Sequence, residues 1–164
     1  MNKMKVTSIG FVVLLSVIVV ITIWILTEKN KMYDYNYLEI VKVIEMESLP
    51  FDAKFPTKVP FEQMTLYESQ TDKKQQMDVT LANVNKSFLE IKITKNRIEY
   101  AENVKRKNVS IDNEFQGIFI PNHSGKRILL WEDNGIFYEI TYFQKLTQYE
   151  VSKNQLVKMA ESFE

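Results

Sequence analysis

A chain of 164 residues with 26% charged and 45% hydrophobic content has room for one ordinary domain plus an appendage. Its 21 basic and 21 acidic residues cancel, so no net field draws it to nucleic acid or anionic lipid; a polyanion partner is disfavoured and nucleic acid is not expected as one. The lack of cysteine removes disulfides, thiolate nucleophiles and soft metal sites; the single histidine, His123, removes multi-histidine metal cages, and no cofactor is expected.

Residues 1–8 form a short polar tail with Lys3 and Lys5. Residues 9–26, IGFVVLLSVIVVITIWIL, carry no charge and only Ser16 and Thr22 as polar groups. At ~1.5 Å rise per residue they span most of a ~30 Å hydrocarbon core, with Trp24 near an interface where an indole is favoured. The sequence that follows, WILTEKNK, lacks the small residues that signal peptidase requires. An uncleaved transmembrane anchor is therefore favoured over a cleaved signal, with the short tail cytoplasmic and the bulk of the chain outside.

Residues 27–49 read as a juxtamembrane helical segment: Tyr33, Tyr37, Ile40, Val41 and Ile44 recur at spacings of three and four. PFDAKFPTKVPF, from 50 to 61, holds three of the four prolines, but Pro56 and Pro60 miss the three-residue period of polyproline recognition. The interleaved Phe51, Phe55 and Phe61 are too apolar for a solvated linker, so the stretch is expected to be an elbow buried at the edge of a folded module covering 50–164.

Beyond the prolines the period becomes two. Met77, Val79 and Leu81, then Leu89, Ile91 and Ile93, alternate, and the pattern resumes in 115–120, 128–131 and 136–143. Asn134-Gly135 supplies the positive-φ residues of a tight hairpin, so the strands on either side should pair; PNHSGKR, from 121, supplies another turn. Ser152 and Gln155 make a capping box that opens a helix with Leu156, Met159, Ala160 and Phe163 on one stripe. The expected fold is α+β: an antiparallel sheet of about five to seven strands covered by the C-terminal helix, with the juxtamembrane helix as a second candidate cover.

No catalytic constellation stands out. His123 and Ser124 are neighbours in a turn, without a G-x-S-x-G elbow, and Glu132 and Asp133 sit where hairpin tips are commonly acidic. Three N-x-[ST] triplets, at Asn85, Asn108 and Asn122, are unsurprising in an Asn-rich chain. Two binding surfaces are candidates. Strand 136–143 is apolar on both faces, which suggests an apolar groove formed by Trp131, Phe137, Tyr138, Tyr142 and Phe143. Lys95, Arg97, Lys105, Arg106 and Lys107 form a basic patch for phosphate, teichoic acid or lipid headgroups if their strands converge, and otherwise a solvated face beside Glu99 and Glu102.

The ending WEDNGIFYEI … VSKNQLVKMAESFE, with FPTKVPF at 55–61, resembles the extracytoplasmic domain family catalogued as domain of unknown function 4367. The resemblance covers about 50–163 and implies a membrane-attached or lipoprotein-borne domain of Gram-positive bacteria; it brings no catalytic residues. YFQKLTQYE, between the last strand and the helix, departs from that pattern. The expected function is a membrane-anchored module that binds a protein or envelope component without catalysis. An anchored envelope hydrolase and a scaffold subunit of a surface complex are the alternatives.

Overall fold

The computed structural model describes residues 14–22, 30–47, 51–72, 75–112, 114–144 and 150–164. It separates into two compact units, Met1–Lys31 and Met32–Glu164. In the first, residues 14–22 are helical, and Thr22 Oγ1 donates to the Ile18 carbonyl at 2.8 Å. Their apolar side chains are exposed around the helix, Leu14, Val17, Ile18 and Val20 among them. No helix among the described residues is long and apolar enough to cross a membrane; the remainder of the expected span 9–26 lies outside those residues.

The second unit contains nine strands and two helices among the described residues. They are β1 (Tyr33–Asp34), α1 (Leu38–Glu47), β2 (Lys58–Val59), β3 (Thr65–Asp72), β4 (Gln76–Ala82), β5 (Phe88–Thr94), β6 (Lys107–Ile111), β7 (Phe115–His123), β8 (Lys126–Asp133), β9 (Ile136–Phe143) and α2 (Lys153–Ala160). Seven strands form one antiparallel sheet in the order β3-β4-β5-β9-β8-β7-β6. The connection from β5 to β6 therefore has to cross β9, β8 and β7 before the chain returns strand by strand to the middle.

The local signals account for the turns. Asn134 (φ 52) and Gly135 (φ 77) both occupy the left-handed region at the β8–β9 hairpin, and Ser124 (φ 55) and Gly125 (φ 80) do the same between β7 and β8. Alternation decides the faces. Met77, Val79, Leu81, Leu89, Ile91, Ile93, Ile140 and Tyr142 point to one side of the sheet and are buried with Leu156 and Met159 of α2. The capping box is formed: Gln155 N donates to Ser152 Oγ at 3.1 Å and Ser152 N to Gln155 Oε1 at 3.0 Å.

The proline segment crosses the same face. Phe55 and Phe61 are buried, and Phe55 and Glu164 exchange backbone hydrogen bonds of 3.0 and 3.1 Å, which stitch the last residues of the chain to the segment. The expected helix over Tyr33–Ile44 begins later. Tyr33 and Asp34 pair with Val59 and Lys58, and Tyr35 N donates to Thr57 O at 2.7 Å, so three residues are drawn into extended backbone. Asn36 Oδ1 then accepts from Leu38 N at 3.2 Å and starts α1. Consequently β1 and α1 belong to the module, whose compact unit starts at Met32, ahead of the elbow.

Candidate functional site

The face of the sheet opposite the main core carries a second, smaller apolar cluster. Ile120, Ile128 and Leu130 are buried there beneath Ile98, Tyr100 and Val104 of the β5–β6 connection. This connection, residues 95–106, is held by polar anchors. Tyr100 OH donates to Glu139 Oε2 at 3.0 Å, Thr141 Oγ1 donates to Glu139 Oε1 at 2.8 Å, and the Tyr100 ring meets His123 edge-on at 5.3 Å. The Arg106 guanidinium donates to the carbonyls of Tyr100 and Ala101, which ties the end of the connection to its middle. Glu139 is 7% exposed, and both of its carboxylate oxygens are hydrogen-bonded, as a buried polar group requires.

Between this connection and the sheet lies a cleft of about 500 Å³, within the ~300–1,000 Å³ range of ligand sites. Its apolar lining includes Ile118, Ile120, Leu130 and Phe137; its charged lining is Arg97 and Arg106 with Glu99, Glu102 and Glu132. Arg97 and Glu99 are 3.8 Å apart, both 77% exposed, and such a pair holds neither group firmly.

The cleft brings together parts of the two surfaces expected from the sequence. Of the apolar set, Phe137 is half-buried at the cleft, and Trp131 and Tyr138 border it. Trp131 and Tyr138 are otherwise buried in a ring cluster: they stack at 5.1 Å and 10°, and Phe163 meets them edge-on at 4.9 and 5.7 Å. Tyr142 does not line the cleft, because strand alternation turns it into the main core, where its ring lies 6.3 Å from that of Phe61. Phe143 ends β9 away from the cleft and takes Lys126 Nζ over its ring at 4.8 Å.

Of the basic set, Arg97 and Arg106 line the cleft. Lys95 instead sits with its Nζ 5.6 Å from the Phe51 ring centroid, and Lys105 and Lys107 are exposed outside it. Of the five cations, then, the cleft gathers Arg97 and Arg106 alone.

A smaller cavity, about 110 Å³, lies on the other side of Trp131 and Tyr138. Lys54 and Asp133 border it and form a salt bridge of 2.7 Å, with Asp133 7% exposed. The hydrogen bond to Asp133 holds the Lys54 ammonium above its usual range. Among the described residues no cluster of acidic residues and His could hold a metal ion.

Three tyrosine hydroxyls are displaced upward. Burial, then Glu39, pushes Tyr35 from 10.0 up to about 12. Burial, then the Glu139 carboxylate, pushes Tyr100 up, and burial outweighs the hydrogen bond from Lys54 N in pushing Tyr138 up. In the unfolded chain these phenols ionise near ~10. The stability they contribute is therefore whole below pH ~10 and lost as the pH rises through the folded values. Urea midpoints should hold level from roughly pH 8 to 10 and fall above it, with a late fraction of phenolate absorbance appearing only as the protein unfolds. Full phenolate absorbance below pH ~11 in the folded protein would contradict this burial.

Comparison of the chain with family models, curated proteins and solved structures finds no match.

Sequence reading missed the anchored connection and the Lys54–Asp133 pair. Glu139 was the available signal: a lone carboxylate inside the apolar run IFYEITYF is costly to bury without a partner.

Proposed function

We propose that this chain is a single-pass membrane protein whose module, from Met32 on, binds a protein or envelope component outside the membrane through the cleft beneath residues 95–106, without catalysing a reaction. The observation that carries the reading is the cleft's composition: an apolar floor of Ile118, Leu130 and Phe137 with charges of both signs at its rim. An apolar floor provides affinity and a mixed rim provides orientation, which suits a partner that is itself mixed in character. The anchor reading rests on the uncharged run at 9–26 and on residues 14–22, helical with their apolar side chains exposed. The resemblance of 50–163 to the family of domain of unknown function 4367 agrees with an extracytoplasmic domain on an anchor.

The test is crosslinking and pull-down of the full chain from its own cells, comparing the native protein with Ile118→Asp and Arg97→Glu. Both positions border the cleft, and Ile118 is 37% exposed, so a charge there disturbs the floor with little effect on folding. A partner captured by the native chain should be lost with Ile118→Asp and weakened at least several-fold with Arg97→Glu. Equal recovery with all three proteins, or turnover of wall or lipid substrates by the purified protein, overturns the reading. Protease shaving of intact cells checks the topology: the module should be degraded, and its survival would place it inside.

A further inference from the structure

The sheet has two edges, β3 and β6, and they are finished differently. The pairing of β3 with β4 is interrupted by a bulge between Leu66 and Glu68, and Tyr67 stands 67% exposed there. The charges within β3, Glu68 and Asp72, are both acidic, with Lys73 and Lys74 following in the turn to β4. Antiparallel pairing of β3 with a copy of itself about Gln70 would set those carboxylates opposite one another. Bulges and like charges are the ordinary means of closing an edge to such pairing.

β6 has no bulge. It pairs with β7 without a break, from Lys107 with Phe119 to Ile111 with Phe115. Among the described residues β7 is its only strand neighbour, and outside that ladder the backbone of Lys107–Ile111 makes one bond, Ile111 O accepting from Glu114 N at 3.1 Å in the turn. A strand bonds one antiparallel neighbour through alternate residues, so the backbone groups between them point outward from the sheet. Apolar side chains do not shield that rim: Val109 and Ile111 are buried and lean inward over Gly117, where a Cβ would come within 2.9 Å of Ile111 Cδ1 and 3.2 Å of Val109 Cγ2. Lys107, Asn108 and Ser110 are exposed. Charge along the strand is divided. Lys105, Arg106 and Lys107 stand at its start; Asp112 and Glu114 follow its end, with Glu161 Oε1 accepting from Asp112 N at 3.4 Å. Arg106 is committed to the Tyr100 and Ala101 carbonyls, Glu102 lies at the cleft, and Lys54 is bound to Asp133, which leaves Lys105 and Lys107 at one end and Asp112 and Glu114 at the other.

We infer that β6 is a self-association edge: a second copy of this chain adds its own β6, antiparallel, and the two seven-stranded sheets become one across a two-fold axis normal to them. With Val109 on the axis, Lys105 and Lys107 of each copy run alongside Asp112 and Glu114 of the other. Lysines on an edge ordinarily repel a copy, but here each set meets its opposite sign. Such a contact closes with two copies, whereas joining β6 to β3 of a further copy would be open-ended. The axis keeps the same face of both sheets on one side, so the two clefts beneath residues 95–106 open side by side, and a partner with two binding segments gains from both. The pairing itself depends neither on an anchor nor on what the cleft binds.

A cysteine-free chain allows a clean test. In the two-fold pair Asn108 of one copy lies opposite Ser110 of the other, at a separation that a disulfide spans. Full chains carrying Asn108→Cys and Ser110→Cys, the first tagged, are mixed in detergent micelles and mildly oxidised. The mixed disulfide should exceed by at least about five-fold the dimer formed by Tyr67→Cys on the other edge, which measures random collision and any association through residues 9–26. Lys105→Glu with Lys107→Glu should bring the mixed disulfide down to that baseline, and Glu114→Lys added to this pair should restore part of it. Salt at ~1 M, where the Debye length is ~3 Å, should weaken it. All these positions are exposed, and unchanged urea midpoints verify that the variants fold. A mixed disulfide no greater than the Tyr67→Cys dimer, or one that survives reversal of the two lysines, overturns the inference.

Discussion

Replacing Trp131 with Ala should cost about 3–5 kcal/mol of folding stability, the range for deleting a large buried aromatic side chain. Trp131 is 6% exposed, stacks on Tyr138 and is met edge-on by Phe163, so truncation removes area burial and two ring contacts together. The site collapses poorly, because Tyr138 is held by Lys54 N on its hydroxyl and Phe163 by the pairing of Pro56 with the chain end. Trp131 also separates the large cleft from the small cavity, so its removal merges two spaces instead of leaving one sealed void. Urea denaturation of the variant should show a much lower midpoint at an unchanged slope. In a double-mutant cycle Phe163→Ala should couple to it by about 0.5–1.5 kcal/mol, as aromatic pairs do. A loss below ~1 kcal/mol would mean that this ring cluster is not packed as described.

Leu156→Ala should cost about 2–5 kcal/mol and act mainly on the end of the chain. Leu156 is fully buried with Met159, and α2 is only eight residues long, too short to persist in water without its packed face. The capping box contributes on the order of 1 kcal/mol and cannot replace that burial. Amide exchange in 153–160 should therefore accelerate more than exchange in the β8–β9 hairpin, where backbone pairing is independent of Leu156. Uniform acceleration across both would show that the helix and sheet unfold only together.

The hairpin at Asn134-Gly135, the capping box at Ser152 and the strands around Met77, Leu89, Ile128 and Ile140 were legible because each depends on residues within a few positions of one another. Turn dihedrals, caps and alternation are local physics. β3 and β6 were not legible. TLYESQTD has no apolar residue after Tyr67, and KNVSI alternates only over Val109 and Ile111, too short a run to mark a strand; both become strands by pairing at the two edges of the sheet. The helical period across 33–44 misled for a tertiary reason: Tyr33 and Asp34 gain backbone partners in β2, which a helix would forgo.

The candidate site divides in the same way. Sequence alone singled out Trp131, Phe137 and Tyr138 as aromatic, and Arg97 and Arg106 as cationic, and by itself it determined the turns, the capped helix and the apolar core of the central strands. Only the tertiary structure decided that Phe137 and the two arginines meet across one cleft while Tyr142 turns into the core and Lys95 turns to Phe51. That choice depends on the crossing from β5 to β6, which brings 95–106 over β7 and β8, strands that follow it in the chain, and on the Tyr100–Glu139 hydrogen bond that fastens it there. No local pattern records such a juxtaposition, because its energy lies in contacts between segments that chain periodicity treats as independent.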